Sequence, residues 1–88
     1  MKLLVVILSQ RDADPVIKAL IEADFRVTQV ASTGGFLRRG NTTLFVGIEE
    51  KRVEQAFELL RASAPETPEA GQSRATVFVL NVAHFEQV

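Results

Sequence analysis

Three segments of the chain are rich in apolar and β-branched residues, a composition typical of strands. The first, residues 3–8, reads LLVVIL without interruption and predicts a central strand that is covered on both faces. Residues 42–48 and residues 75–82 have similar compositions and predict two further strands. These three segments are expected to supply most of the apolar surface of a sheet.

A fourth segment, residues 25–30, alternates apolar and polar positions. Successive side chains of a strand point to opposite faces, so this alternation predicts a strand with one buried face. Phe25 and Val27 are expected on the buried face, while Arg26 and Thr28 are expected on the other. The polar face is then available to solvent or to a ligand.

The segment between the first two strands has the spacing of an amphipathic helix, with an apolar stripe formed by Val16, Ile17, Leu20 and Ile21. Asp12 or Asp14 is expected to cap this helix, and Pro15 is expected in its first turn. The helix is expected to end near Asp24.

A second helix is predicted after the third strand, because apolar residues recur there at three- and four-residue steps: Val53, Ala56, Phe57 and Leu60. Glu49 and Glu50 precede this stripe, where negative charge is favourable near the positive end of the helix dipole. The stripe is expected to face the core.

The elements follow the order βαββαβ, which predicts an α+β fold, a ferredoxin-like sandwich with both helices on one face of an antiparallel sheet. The connection between strands 2 and 3 is expected to be hairpin-like. Residues 64–74 contain two prolines and a glycine and are expected to form a surface loop. Strand 4 is expected at a sheet edge with both faces apolar, so we expect an oligomer.

Composition narrows the class of protein. A length of 88 residues indicates one domain, residues 1–88. The net charge of −1 gives no overall field that favours nucleic acid. The chain lacks cysteine, which predicts a cytoplasmic location without disulfides. No apolar run approaches the roughly 20 residues that cross a bilayer, and residues 3–8 are too few for a signal peptide.

The titratable residues do not predict an enzyme. His84 is the single histidine, and no serine and carboxylate pair stands around it in the sequence as base catalysis requires. Asp12, Asp14, Glu49 and Glu50 stand at helix starts, where capping explains them better than acid-base chemistry or metal binding. We therefore expect no catalytic residue, no metal site and no cofactor.

Residues 33–43 concentrate glycines, an aromatic residue, two arginines and short polar side chains, a mixture that suits a nucleotide. Glycines let backbone amides approach an anion, Phe36 can stack on a base, and Arg38 and Arg39 can pair with phosphate. Asn41 can read a base or ribose edge. From the residues alone, a solvated glycine-rich hairpin stays the commoner explanation. No Gly-Lys-Ser/Thr follows, so the segment is not a Walker loop.

The sequence resembles the PII-like cyclic-di-AMP receptor family in residues 25–28, 31–37, 40–44, 46–49 and 75–80 and at Phe85. Members of that family are trimers of ferredoxin-like subunits, they bind cyclic di-AMP in clefts between neighbours, and they have no catalytic activity of their own. The resemblance implies a homotrimeric sensor that rearranges its loops on binding and so signals to a downstream protein. From the net charge and the short apolar runs, we expect no contact with nucleic acid and no insertion into a membrane.

The resemblance also supplies seven expected ligand contacts: Arg26, Thr28, Gly35, Phe36, Leu37, Asn41 and Gly47. Without it, Thr28 is better explained as an exposed strand residue, and Gly47 as a bulge or a close packing contact.

The chain departs from the family before strand 4. Relatives carry a longer loop there that ends in a glycine pair, whereas this chain has Gly71-Gln72-Ser73-Arg74. One wall of the expected pocket is then rebuilt from Gln72, Ser73 or Arg74, or is left open. Two alternatives follow: a sensor for ATP or another adenine nucleotide, and a trimeric interaction protein without a ligand.

Overall fold

The computed structural model describes residues 1–30, 41–63 and 75–88. Its elements are β1 (Lys2–Ser9), α1 (Gln10–Glu22), β2 (Arg26–Val30), β3 (Asn41–Ile48), a single 3₁₀ turn (Glu50–Arg52), α2 (Val53–Ser63) and β4 (Ala75–Asn81). The predicted order βαββαβ is confirmed. The two predicted connections, between β2 and β3 and between α2 and β4, lie outside the described residues.

The four strands form one antiparallel sheet in the order β2-β3-β1-β4. Strand β1 is central, and β4 lies at one edge, as predicted. This is the α+β, ferredoxin-like arrangement that the sequence predicted. Because β2 and β3 are neighbours with antiparallel register, residues that precede β2 and residues that end β3 meet at the same end of the sheet.

The core lies between the helices and one face of the sheet. Alternate apolar residues of β1 and β3 are buried there and belong to one cluster: Leu4, Val6, Leu8, Leu44, Val46 and Ile48. Helix α1 adds Ala13, Val16 and Leu20, and helix α2 adds Ala56 and Leu60. Val53 and Phe57, predicted for the inner face of α2, pack against this cluster and are partly buried.

The expectation that residues 3–8 are covered on both faces is not met within one chain. The burial of β1 alternates, and Leu3, Val5 and Ile7 are only partly buried. The physical reason is that both helices pack on the same face, so nothing in the described chain covers the other. We call this second face, formed by every other residue of the four strands, the open face.

Helix α1 begins earlier than predicted. It starts at Gln10, directly after β1, and Ser9 occupies the N-cap position without a side-chain hydrogen bond. Asp12 therefore lies inside the first turn, and Pro15 lies inside the helix, where it cannot donate a backbone hydrogen bond. The apolar stripe explains the early start, because Ala13 is fully buried and belongs to the core.

The end of α1 sets where β2 begins. The N–H of Asp24 donates to the carbonyl of Ile21 over 2.9 Å, and the N–H of Phe25 donates to the carbonyl of Leu20 over 2.9 Å. These two bonds form a Schellman motif, with Asp24 in the left-handed region at φ 71°. Phe25 and Leu20 are both buried, which completes the apolar contact of this motif.

Candidate functional site

Three of the predicted ligand residues lie together on the open face. The register pairs Arg26 of β2 with Gly47 of β3, and Thr28 with Phe45. Side chains of directly opposed residues project to the same side of a sheet. Arg26, Thr28 and Gly47 are all exposed, which confirms the predicted polar face of β2 and places it beside the glycine.

Asn41 shares this face but stands at the other end of β3. Its partner in the register is Ser9 of β1, and its side chain is partly buried. Gly47 lies six residue steps along β3 from Asn41, which is about 20 Å at the rise of an antiparallel strand. Within one chain, the structure therefore does not bring Asn41 together with Arg26 and Gly47.

The other predicted contacts, Gly35, Phe36 and Leu37, lie outside the described residues. The same holds for the loop residues that were expected to rebuild the pocket wall, Gln72, Ser73 and Arg74. Their places in a site stay predictions.

A cavity of about 580 Å³ opens at the end of the sheet where β2 begins and β3 ends. Two predicted residues, Arg26 and Gly47, line it. The remaining lining residues were not predicted as site residues: Met1, Asp24, Phe25, Ile48, Glu49, Lys51, Arg52, Phe85 and Gln87. The volume is within the range of about 300–1,000 Å³ that is usual for small-molecule sites.

The cations of this cavity differ in what they already bind. Arg52 donates from Nη2 to the carbonyl of Ala23 over 2.9 Å, and its guanidinium carbon lies 4.0 Å from the centre of the Phe25 ring. Lys51 lies 3.4 Å from a carboxylate oxygen of Glu49. The side chain of Arg26 has no hydrogen-bond or ion-pair partner among the residues that the structure describes. It is the cation of this cavity best placed to receive an anion.

The role of Arg52 could not be read from the sequence. Its hydrogen bond links the start of α2 to the end of α1, residues that are 29 positions apart. The adjoining contact with Phe25 adds a cation–π interaction. Nothing in the local sequence pattern around an arginine before a helix distinguishes such a partly buried, bridging residue from a solvated one.

The C-terminal tail forms another side of the cavity. The N–H of Val82 donates to the carbonyl of Met1 over 3.1 Å, which continues the β1–β4 ladder by one bond. Beyond this bond the chain leaves the sheet, and Phe85 and Gln87 face the cavity. Phe85 was noted in the sequence only as part of the family resemblance.

The described titratable side chains form no cluster of the kind that would bind a metal ion. His84 is 78% exposed at its side chain, and its Nε2 lies 3.8 Å from a carboxylate oxygen of Glu86. Across the described ranges, no group of three or more histidine, aspartate or glutamate side chains is arranged to hold a metal ion. In the same ranges, no helix is long and apolar enough to cross a membrane.

A family model described as a cyclic-di-AMP receptor matches residues 1–70. The chain belongs to this family. This match confirms the resemblance read from the sequence. The matched range contains all seven predicted ligand residues, whose ligand contacts stay predictions. The match ends within the segment between α2 and β4, the segment for which the sequence predicts a departure from the family pattern.

A solved structure extends the likeness to nearly the whole chain. The crystal structure of a functionally unknown protein from Pediococcus pentosaceus ATCC 25745 is 36% identical to this chain, with a TM-score of 0.76. The match covers 99% of this chain and 96% of that one. The two chains are thus nearly equal in length.

Proposed function

We propose that this protein is a cytoplasmic sensor that binds cyclic di-AMP between the subunits of a homotrimer and signals to a downstream protein by loop rearrangement. The observation that carries the proposal is the pairing of Arg26 with Gly47 beside a cavity, in a chain of the cyclic-di-AMP receptor family. In this proposal the protein is a receptor and catalyses no reaction.

The chemistry of these two residues suits a dinucleotide. A guanidinium forms paired hydrogen bonds with phosphate oxygens or stacks on a base. A glycine lets a flat ligand approach the backbone closely. Among the described residues, a Cβ added at Gly47 would meet Met1 Cε, at 3.7 Å. Thr28 adds a hydroxyl two residues further along β2, on the same face as Arg26.

The apolar character of the open face supports the trimer. Its central rows contain Leu3, Val5, Ile7, Phe45, Phe78 and Leu80. Phe78 is 53% exposed and Leu80 is 48% exposed. A contiguous apolar sheet face on a small domain is a typical association surface. The sequence argument placed association at the edge of β4 alone, whereas the exposed apolar surface extends across the sheet.

Association through this face also supports a ligand site between subunits. Arg26, Thr28 and Gly47 lie at the rim of the open face, on β2 and the adjoining strand. A second subunit that packed on the apolar centre would bring its own residues close to this rim. Asn41, which is remote from Arg26 within one chain, would then contribute to a shared cleft or to a neighbouring one.

A second candidate is a trimer that binds ATP or another adenine nucleotide, or no ligand. The short segment before β4 favours it, because the family match ends at residue 70 and part of the expected pocket wall is altered. Adenine and phosphate chemistry would still use Arg26 and Gly47, whereas the second base of a cyclic dinucleotide would lack a wall.

Isothermal titration with cyclic di-AMP, cyclic di-GMP, ATP and AMP separates these candidates. We expect saturable binding of cyclic di-AMP at one ligand per chain, and binding of the others at least ten times weaker. A preference for ATP would select the adenine-nucleotide candidate. Absence of binding to all four would leave the interaction protein.

A further inference from the structure

An aromatic residue outside the seven expected contacts faces the cavity at the end of the sheet. Phe85 lines this cavity together with Arg26 and Gly47. It is 59% exposed, although phenyl rings are usually buried in a core or against a partner. An exposed ring on the wall of a cavity is suited to a contact that the isolated chain does not make.

The backbone holds Phe85 in this region. The last β1–β4 pair joins Lys2 with Asn81, and the bond from Val82 to Met1 continues it. Met1 itself lines the cavity. The tail is therefore anchored three residues before Phe85, beside a residue that shares the same cavity.

We propose that Phe85 contacts the bound nucleotide and stacks on one of its bases. This inference rests on the proposed function and adds a residue to that site. The cavity combines an aromatic face, the guanidinium of Arg26 and the backbone of Gly47, where Met1 Cε lies 3.7 Å from the position that a Cβ would occupy. Stacking on aromatic side chains, charge pairing with phosphate and close approach to backbone are the three contacts that nucleotides commonly receive.

The test compares variants at position 85 by titration with cyclic di-AMP. Phe85→Ala removes the ring and is expected to raise the Kd about 5–150-fold, the range that corresponds to loss of one base–aromatic stack. Phe85→Leu keeps apolar bulk without a π face and is expected to restore little. Phe85→Trp keeps the π face and is expected to bind like the unaltered protein.

Val88 provides the matched control in the same tail. It is fully exposed and does not line the cavity. Val88→Ala is expected to leave the Kd unchanged. A melting curve and a light-scattering mass for each variant establish that fold and assembly are preserved.

Fluorescence gives a second readout, because the chain contains no tryptophan and no tyrosine. Phe85→Trp introduces a single fluorophore whose emission is expected to shift or be quenched at saturating cyclic di-AMP. Val88→Trp places the same fluorophore outside the cavity, and its emission is expected to stay constant.

The outcomes separate this inference from the proposed function. If the unaltered protein binds and Phe85→Ala binds equally well, the inference is overturned and the receptor function stands. If Phe85→Leu restores full affinity, or if Phe85→Ala lowers the oligomer mass, the ring acts in apolar packing and stacking is overturned. If the unaltered protein does not bind cyclic di-AMP, the proposed function fails and this inference fails with it.

Discussion

Arg26 and Gly47 are direct cross-strand partners, and Gly47 separates Arg26 from Leu3, the next residue in the same row. Opposed Cβ positions in an antiparallel sheet lie about 4.5–5.5 Å apart, so a side chain at position 47 would fill the space between the other two. The glycine thus leaves a notch with a cation on one side and an apolar side chain on the other. Such a notch suits the edge of a nucleotide.

Arg26 is expected to contribute to ligand binding and little to stability. Arg26→Ala is expected to weaken cyclic-di-AMP binding by roughly 1.5–3 kcal/mol, the scale of a hydrogen bond to a charged group. Arg26→Lys is expected to restore only part of the loss, since an ammonium cannot reproduce the planar fork of a guanidinium. Titration of the three proteins measures both effects.

A melting curve for each Arg26 variant supplies the control for that experiment. Because Arg26 is exposed and unpartnered among the described residues, unfolding is expected to shift by less than about 0.5 kcal/mol. Equal affinities in all three proteins would remove Arg26 from the site and leave it as a solvated residue on a sheet face.

Gly47→Val is expected to block the notch while preserving the fold. A Cβ at this position makes only ordinary contact, 3.7 Å from Met1 Cε, and valine suits a strand better than glycine. Stability is expected to stay equal or to rise by up to about 1 kcal/mol, whereas affinity for cyclic di-AMP is expected to fall at least tenfold. Gly47→Ala, the smaller change, is expected to have a smaller effect. Unaltered affinity in Gly47→Val would place the ligand elsewhere.

The open face is expected to be the association surface. Light scattering of the unaltered protein is expected to give about three times the chain mass of 9.7 kDa. Phe78→Glu introduces a charge on this face, where Phe78 is opposed to Val5, and is expected to lower the mass because an unpaired charge is costly to bury. Ile21→Glu is the control, because Ile21 is similarly exposed but lies on α1. A monomer mass for the unaltered protein contradicts the prediction.

The sequence predicts on which face of the sheet each strand residue lies, because successive side chains of a strand alternate between the two faces. The alternation in residues 25–28 was enough to assign Arg26 and Thr28 to the face opposite Phe25. The facing of Gly47 relative to Arg26 depends on the register between β2 and β3, which the local pattern does not contain. The resemblance proposed both as ligand contacts, and the sheet register makes them neighbours.

Other parts of the site depend on contacts between residues that are remote in sequence. Arg52 meets the end of α1, and Phe85 reaches the cavity because β4 pairs with β1 and returns the tail to Met1. The early start of α1 was missed for a different reason. Capping chemistry favours the aspartates near Pro15 as the helix start, whereas the helix begins at Gln10 and includes the buried Ala13.

Asp24 offers a test of the turn that positions β2. It is the sole non-glycine residue with positive φ among those described, at 71°, in the C′ position of the Schellman motif that ends α1. Glycine adopts this conformation without a Cβ penalty, and an acidic side chain near the negative end of a helix dipole is unfavourable. Relief of the left-handed penalty of roughly 1–2 kcal/mol outweighs the cost of about 0.4–1 kcal/mol from the extra freedom of glycine in the unfolded chain. Asp24→Gly is therefore expected to raise the free energy of unfolding by up to about 1 kcal/mol, while Asp24→Val, with a β-branched side chain, is expected to lower it. Glu58→Gly, at an exposed position inside α2, is the matched control and is expected to destabilise by about 0.5–1 kcal/mol, because there glycine only adds freedom to the unfolded chain.

Denaturant unfolding without ligand, at one fixed protein concentration, measures the unaltered protein and the three variants, since association would otherwise alter their apparent stability. A loss of stability in Asp24→Gly equal to that in Glu58→Gly would show that the left-handed conformation at position 24 is not a source of strain.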